Sequence, residues 1–345
     1  MKHSRMITVV GAHAEGEVGR VVTGGVLPPP GTTLHEQMMH LWRHGDGLRK
    51  FLLYEPRGGA FTHANLIVPP KDPSADAAFI IMEPDDYPPM SGSNCICVAT
   101  VLLETGMVAM AEPEKRLRLE TPGGVVDVVA RCRDGVCESV KLTNVASYAA
   151  VLDREITVEG LGTVRVDVGY GGAFFAIVDA AALGFTLERH EARALVETGE
   201  RIKAAAAEQI AVAHPENPEI DRIAFTQFAG PVETFDGVKT GRNAVVISPG
   251  KIDRSPCGTG TSARLAVMHA RGEIGEGEPY VSLSPLGSRF DARIEAVTEV
   301  AGVAAIRPSI EGRAWITGFH TYVLDPRDPW PEGYTVSDTW YRTLD

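Results

Sequence analysis

The 345-residue chain carries 45 Asp and Glu against 33 Lys and Arg, a net charge of −12, with 44% hydrophobic and only 7% aromatic residues. That balance argues against nucleic acid or an anionic membrane as the main partner, and no apolar run reaches transmembrane length. Five cysteines, an odd number, suit a reducing cytoplasm better than a disulfide scaffold.

The first stretch, MITVVGAHAEGEVGRVVTGGVL, reads as a β-hairpin with glycines at its bends. TTLHEQMMHLWRHGDGLRKFLL has helical spacing of its apolar residues, and FTHANLIVPP and AAFIIMEP are short buried strands. SNCICVATVLLETG is expected to be a helix capped by Ser93 or Asn94, with Gly106 where a stop belongs. GGVVDVVARCRDGVCESVKLTNV then alternates like a β-meander around an Arg133-Asp134-Gly135 turn. After it the pattern recurs. TVRVDVGYGGAFFAIVDA is strand-rich, RHEARALVETGERIKAAAAEQIAVAH is a long helix, and AVVISPGKIDRSPCGTGTSARLAVMHARG is strand, turn and helix. RFDARIEAVTEVAGVAAIRPSIEGRAWITG is a second meander, and ASYAAVLD and FHTYVLD close the two halves alike. The repetition is expected to mark a duplication into residues 1–165 and 166–345, leaving open whether the final strand crosses to the first half.

Within that repeat, MSGSNCIC and DRSPCGTG occupy equivalent places, so Ser91 stands in one half where Cys257 stands in the other. Glycines at a helix start let a ligand approach the backbone, and the unpaired N–H groups with the helix dipole favour a carboxylate. The same field favours a thiolate at Cys257. Two such loops, facing each other across a cleft, can stabilise the enediolate-like charge formed when the carbon beside a carboxylate loses its proton. Asp253 is placed to bind an ammonium or ring imino group.

EPRGG at 55–59, PPMSGSN at 88–94, DVGYGGAFFAIVD at 167–179 and KIDRSPCGTGTSARLA at 251–266 together resemble the proline racemase family. That resemblance implies an α/β (α+β) fold of two pseudo-symmetric domains, each a curved sheet around a central helix, as in diaminopimelate epimerase. It also implies cofactor-independent chemistry on a small imino acid, with no metal, in a homodimer. Family ligand contacts carry over to Gly92, Ser93 and Asn94, and to Asp253, Gly258 and Thr259; His63 is a further candidate, or a structural histidine. The chain departs from the two-thiol pattern: the first family cysteine is Ser91, and the histidine often found two residues later is Ser93.

A serine hydroxyl is a feeble base for an α-proton without an activator, whereas β-elimination needs only one strong base. The expectation is therefore dehydration of trans-3-hydroxy-L-proline to Δ1-pyrroline-2-carboxylate, with Cys257 as base and Ser91 assisting. There the hydroxyl shares a ring face with the α-hydrogen, so one residue can serve both. The alternative is 4-hydroxyproline 2-epimerisation, alone or alongside dehydration. A non-catalytic imino-acid-binding protein and a thiol redox sensor are readings from other classes. Amino-acid catabolism in the cytoplasm is the expected setting, since the opening MKHSRMITVVGAHAEG has too short an apolar run for a signal peptide.

The remaining signals are weak. HEQMMHLWRH misses the zinc-helix spacing by one residue, Cys132 and Cys137 lack a second pair, and GAHAEGEVG lacks a dinucleotide fingerprint. Cys95 and Cys97 read as packing, and Trp330 and Trp340 are expected to pack on the body or a dimer mate.

Overall fold

A computed structural model describes residues 5–341 and 343–344. The chain divides into two compact units, Met1–Leu142 with Gly312–Asp345, and Thr143–Glu311.

The first unit opens with the hairpin β1 (Arg5–Ala14) and β2 (Glu17–Gly24), then α1 (Leu34–His44) and α2 (Gly47–Leu53). The single helical pattern of the sequence is thus two helices. Thr33 and Glu36 form a capping box that starts α1, and Gly45 ends it with its N–H on the Leu41 carbonyl at 2.8 Å. β3 (Thr62–Val68), β4 (Ala77–Met82), α3 (Gly92–Glu104), β5 (Glu114–Thr121), β6 (Gly124–Arg133) and β7 (Val136–Thr143) follow. β1 and β2 pair antiparallel, β2 and β3 parallel, β3 and β4 antiparallel, β4 and β5 parallel, and β5–β6–β7 run as an antiparallel meander. α3 is buried from Gly92 to Leu103 and packs on β1, β2, β3 and β6, so it is the helix the sheet curls around. Every residue of β4 is buried, because α1 and α2 cover the sheet's other face.

The second unit repeats this order. It runs β8 (Tyr148–Val158), β9 (Gly162–Tyr170), β10 (Phe174–Asp179), α4 (Ala192–Gln209), β11 (Ile223–Phe235), β12 (Val238–Ile247), the short β13 (Lys251–Ile252), α5 (Gly258–Ala270), β14 (Pro279–Leu283), β15 (Arg289–Val300) and β16 (Val303–Gly312). β9–β10 is antiparallel, β10–β11 parallel, β11–β12 antiparallel, β12–β14 parallel, and β14–β15–β16 antiparallel. Along β10, Phe174 packs in the core shared with α4 while Phe175 packs toward α5. Each such ring contributes about 1.5–3 kcal/mol by leaving water.

The last strand, β17 (Ala314–Leu324), pairs antiparallel with β1 and belongs to the first unit. This corrects the division at 165/166. β8 stands beside β9 as β17 stands beside β1, so ASYAAVLD begins the second unit and its look-alike FHTYVLD completes the first from the chain's far end. In the tail, Trp340 is buried and its indole N–H donates to Glu55 at 3.0 Å, whereas Trp330 is exposed. No helix among the described residues is long and apolar enough to cross a membrane.

Candidate active site

α3 and α5 are equivalent 13-residue helices, and their N-caps are Ser91 and Cys257. Ser91, not Ser93 or Asn94, is the N-cap, because it is the last extended residue (φ −152°) and its carbonyl takes the first helical bond, from Cys95 at 3.0 Å. Thr105 caps the other end, and Gly106 follows in the left-handed region (φ +74°). Gly92, Ser93 and Asn94 make the first turn of α3, as Gly258 and Thr259 do in α5. Helix geometry gives the N–H groups of such a turn no partner four residues back, which suits them to an anion. The six positions carried over from the family thus fall into two groups, with Asp253 just before the α5 loop.

Behind Ser91 runs a buried polar line. The Arg20 carbonyl can only accept, so Asn65 turns its amide nitrogen toward it at 3.2 Å and also donates to Asn94 Oδ1 at 2.8 Å. Asn94 Oδ1 is thereby fixed, and its Nδ2 faces Ser91 Oγ at 3.0 Å. Its second hydrogen points to His63 Nδ1 at 3.3 Å, which makes that nitrogen the acceptor. His63 Nε2 is 3.3 Å from Glu17, and Glu83 lies 3.5 Å from Nδ1. His63 therefore sits one layer behind Asn94. β2 can approach this closely only because Gly19 is bare: a β-carbon there would stand 2.9 Å from Asn94 Oδ1. An amide donor on Ser91 Oγ stabilises that oxygen when it carries negative charge, and Ser93 Oγ, 3.4 Å away, is its second polar neighbour. Sequence reasoning found no partner for the Ser91 hydroxyl; the signal was an asparagine one helical turn into α3.

The second loop is built differently. Cys257 has φ +62° and ψ +108°, outside the regions L-residues favour, a strain on the order of 1–3 kcal/mol that the loop must hold. Asp253 accepts from the N–H and hydroxyl of Ser255, both at 2.9 Å, and Ser255 Oγ accepts the Cys257 N–H at 3.1 Å. Cys257 Sγ receives the Gly260 N–H at 3.4 Å, with the Thr259 hydroxyl at 3.6 Å. Burial and the nearby Asp253 carboxylate nonetheless hold this thiol well above the ordinary thiol range, against the pull of Thr259 and Gly260. The sequence expectation of a resting thiolate is corrected: the helix field is outweighed by desolvation and a like charge. Cys95, its pKa pushed up to about 12 by burial, and Cys97 pack inside α3.

One further residue escaped sequence reasoning. Gln227, in β11, is fully buried beside the α5 loop, and neither polar atom of its amide has a hydrogen-bond partner among the described residues. Such a group costs roughly 1–3 kcal/mol in a folded protein, so its presence calls for a reason.

The proline racemase family model matches residues 9–335. A hydroxyproline epimerase from Agrobacterium vitis, solved with bound trans-4-hydroxy-L-proline, is 44% identical over 99% of this chain and 97% of its own, with a TM-score of 0.90. A probable proline racemase from Agrobacterium radiobacter K84, with bound carbonate, is 43% identical over 97% and 98%, with a TM-score of 0.89. A phenazine biosynthesis protein of the PhzF family from Bacillus anthracis shares the fold at 13% identity, covering 94% and 100%, with a TM-score of 0.57. The chain belongs to the proline racemase family, with the sheet-dominated α+β fold expected of it, and is an enzyme of the racemase and epimerase type.

Proposed function

We propose that the chain is a hydroxyproline 2-epimerase acting on trans-4-hydroxy-L-proline, with Ser91 and Cys257 as its two proton-transfer groups. The observation that carries this reading is the Asn94 amide at 3.0 Å from Ser91 Oγ. It supplies the activator without which a serine would favour one-base elimination, and the 44% identical relative solved with trans-4-hydroxy-L-proline supports the same substrate class.

In this mechanism the substrate carboxylate takes the N–H groups at the helix starts, and the ring nitrogen, a cation, takes Asp253. Burial is the larger cause that holds the Cys257 thiol high, and pairing of the cation with Asp253 offsets the second, so bound substrate favours the thiolate. Cys257 and Ser91 then exchange roles: one removes the α-proton, the other returns a proton to the opposite face, and the reverse reaction swaps them. The intervening charge spreads onto the carboxylate, against helix N–H groups.

Dehydration of trans-3-hydroxy-L-proline is the second reading, favoured by the serine itself, which leaves the site a single thiol. Proton NMR of the protein with each hydroxyproline in D2O separates the two. The epimerase reading expects deuterated cis-4-hydroxy-D-proline from the 4-hydroxy substrate. Consumption of the 3-hydroxy compound to pyrroline-2-carboxylate, with the 4-hydroxy compound unchanged, would overturn it in favour of the dehydratase.

A further inference from the structure

Gln227 stands between its cross-strand neighbours Ile177 and Val245, which share one apolar cluster with Cys257, Ala263 and Val267. Its amide is the polar intruder in that cluster: 0% exposed, with Oε1 and Nε2 both unpartnered. A β-carbon added at Gly260 would stand 3.0 Å from Gln227 Oε1 and 3.2 Å from Cys257 Sγ, so the amide oxygen and the sulfur border the same point beside the first turn of α5. In the first unit the matching place is taken by Asn94, three residues after Ser91 as Gly260 is three after Cys257. Asn94 is engaged with Ser91, His63 and Asn65; the Gln227 amide, reaching in from a strand over a bare glycine, has no hydrogen-bond partner among the described residues.

Resting on the hydroxyproline reading above, we propose that Gln227 is the specificity residue that recognises the ring hydroxyl of the substrate. A carboxylate only accepts hydrogen bonds, so it would take Nε2 and leave Oε1 unpaired. A ring ammonium only donates, so it would take Oε1 and leave Nε2 unpaired. A hydroxyl does both, so it complements the amide in either orientation, and it is the one polar group that the helix N–H groups and Asp253 leave unserved. A site that hydrogen-bonds a hydroxyl also discriminates against the analogue lacking it, because the buried amide is then left unpaired.

The test is Gln227→Met, which keeps length and removes polarity, with kcat/KM measured for trans-4-hydroxy-L-proline and L-proline. The preference for the hydroxylated substrate is expected to fall about 10- to 100-fold, and the free variant should melt no lower than the parent. Equal losses on both substrates, or a preference changed less than threefold, would overturn the assignment; Gln227→Leu gives the same comparison if the methionine variant does not fold. If the parent turns over neither compound, the activity reading fails on its own. Ligand-induced melting shifts then decide: a larger shift with hydroxyproline than with proline that vanishes in Gln227→Met supports Gln227, and equal shifts in the parent refute it.

Discussion

If Asn94 activates Ser91, its removal should matter only while residue 91 is a serine. Asn94→Ala deletes the 3.0 Å bond to Ser91 Oγ and the 2.8 Å bond from Asn65, whose nitrogen keeps the Arg20 carbonyl. With the 3.3 Å bond to His63 also lost, three hydrogen bonds and a small cavity put the stability loss at roughly 2–5 kcal/mol. The catalytic loss should resemble that of one oxyanion donor, about 10²–10³ in kcat for epimerisation. The assay is a double-mutant cycle with Ser91→Cys, followed by polarimetry at saturating trans-4-hydroxy-L-proline. A thiol ionises without help, so Asn94→Ala in the Ser91→Cys background should cost less than about tenfold. Structural damage is common to both backgrounds and cancels. Equal losses with serine and cysteine at position 91 would refute the reasoning and reduce Asn94 to packing.

Four further outcomes are expected. Cys257→Ser should lower kcat by at least about 10³-fold and abolish solvent exchange of the α-hydrogen by NMR, since a second hydroxyl replaces the one acidic group. Cys257, 7% exposed against 0–2% for the other four cysteines, is the thiol a small alkylating agent should find first. Its pKa is raised, so its alkylation should keep accelerating above the ordinary thiol pKa of about 8.5. Asp253→Asn removes the like charge and lowers that pKa, so mass-spectrometric alkylation rates at fixed pH should rise while turnover falls. Unchanged or slower alkylation would contradict the assigned cause. Gly171→Ala would place a β-carbon 2.1 Å from the Thr259 carbonyl, backbone against backbone, and should lower Tm by several degrees and displace the Cys257 loop.

Much of this was legible along the chain because strands and helices write their own periods. AAFIIM read as a buried strand and the stretch holding FFAIVD as strand-rich, and the two small-residue loops stood out as helix starts. The unit boundary was not legible, since β8 and β17 look alike but occupy opposite ends of their units, and only pairing with β9 and β1 reveals it. Nor was the line behind Ser91, which gathers Glu17 from β2, His63 and Asn65 from β3, and Asn94 from α3. Gln227 is a lone amide in the apolar stretch FTQFAG, and nothing local distinguishes it from a solvent-facing strand residue. At Cys257 the sequence showed the helix N-terminus, which favours the thiolate, but not the burial that opposes it more strongly.

On the proposed reading, these departures have a common sense. Two groups that trade one proton work best when their acidities match, because each unit of mismatch places one protonation state about 1.4 kcal/mol higher. A free thiol is far more acidic than a free hydroxyl. Here the hydroxyl receives an amide donor pinned through Asn65 to a backbone carbonyl, which favours its ionised form. The thiol is pushed the other way, chiefly by burial, which persists when the substrate cation pairs with Asp253. Position three of each helix makes the difference: Asn94 serves the oxygen, while Gly260 offers the sulfur only its backbone N–H and leaves room for Gln227. A duplicated frame with one thiol thus narrows the gap from both sides, which a chain that had merely lost its first cysteine would have no reason to do.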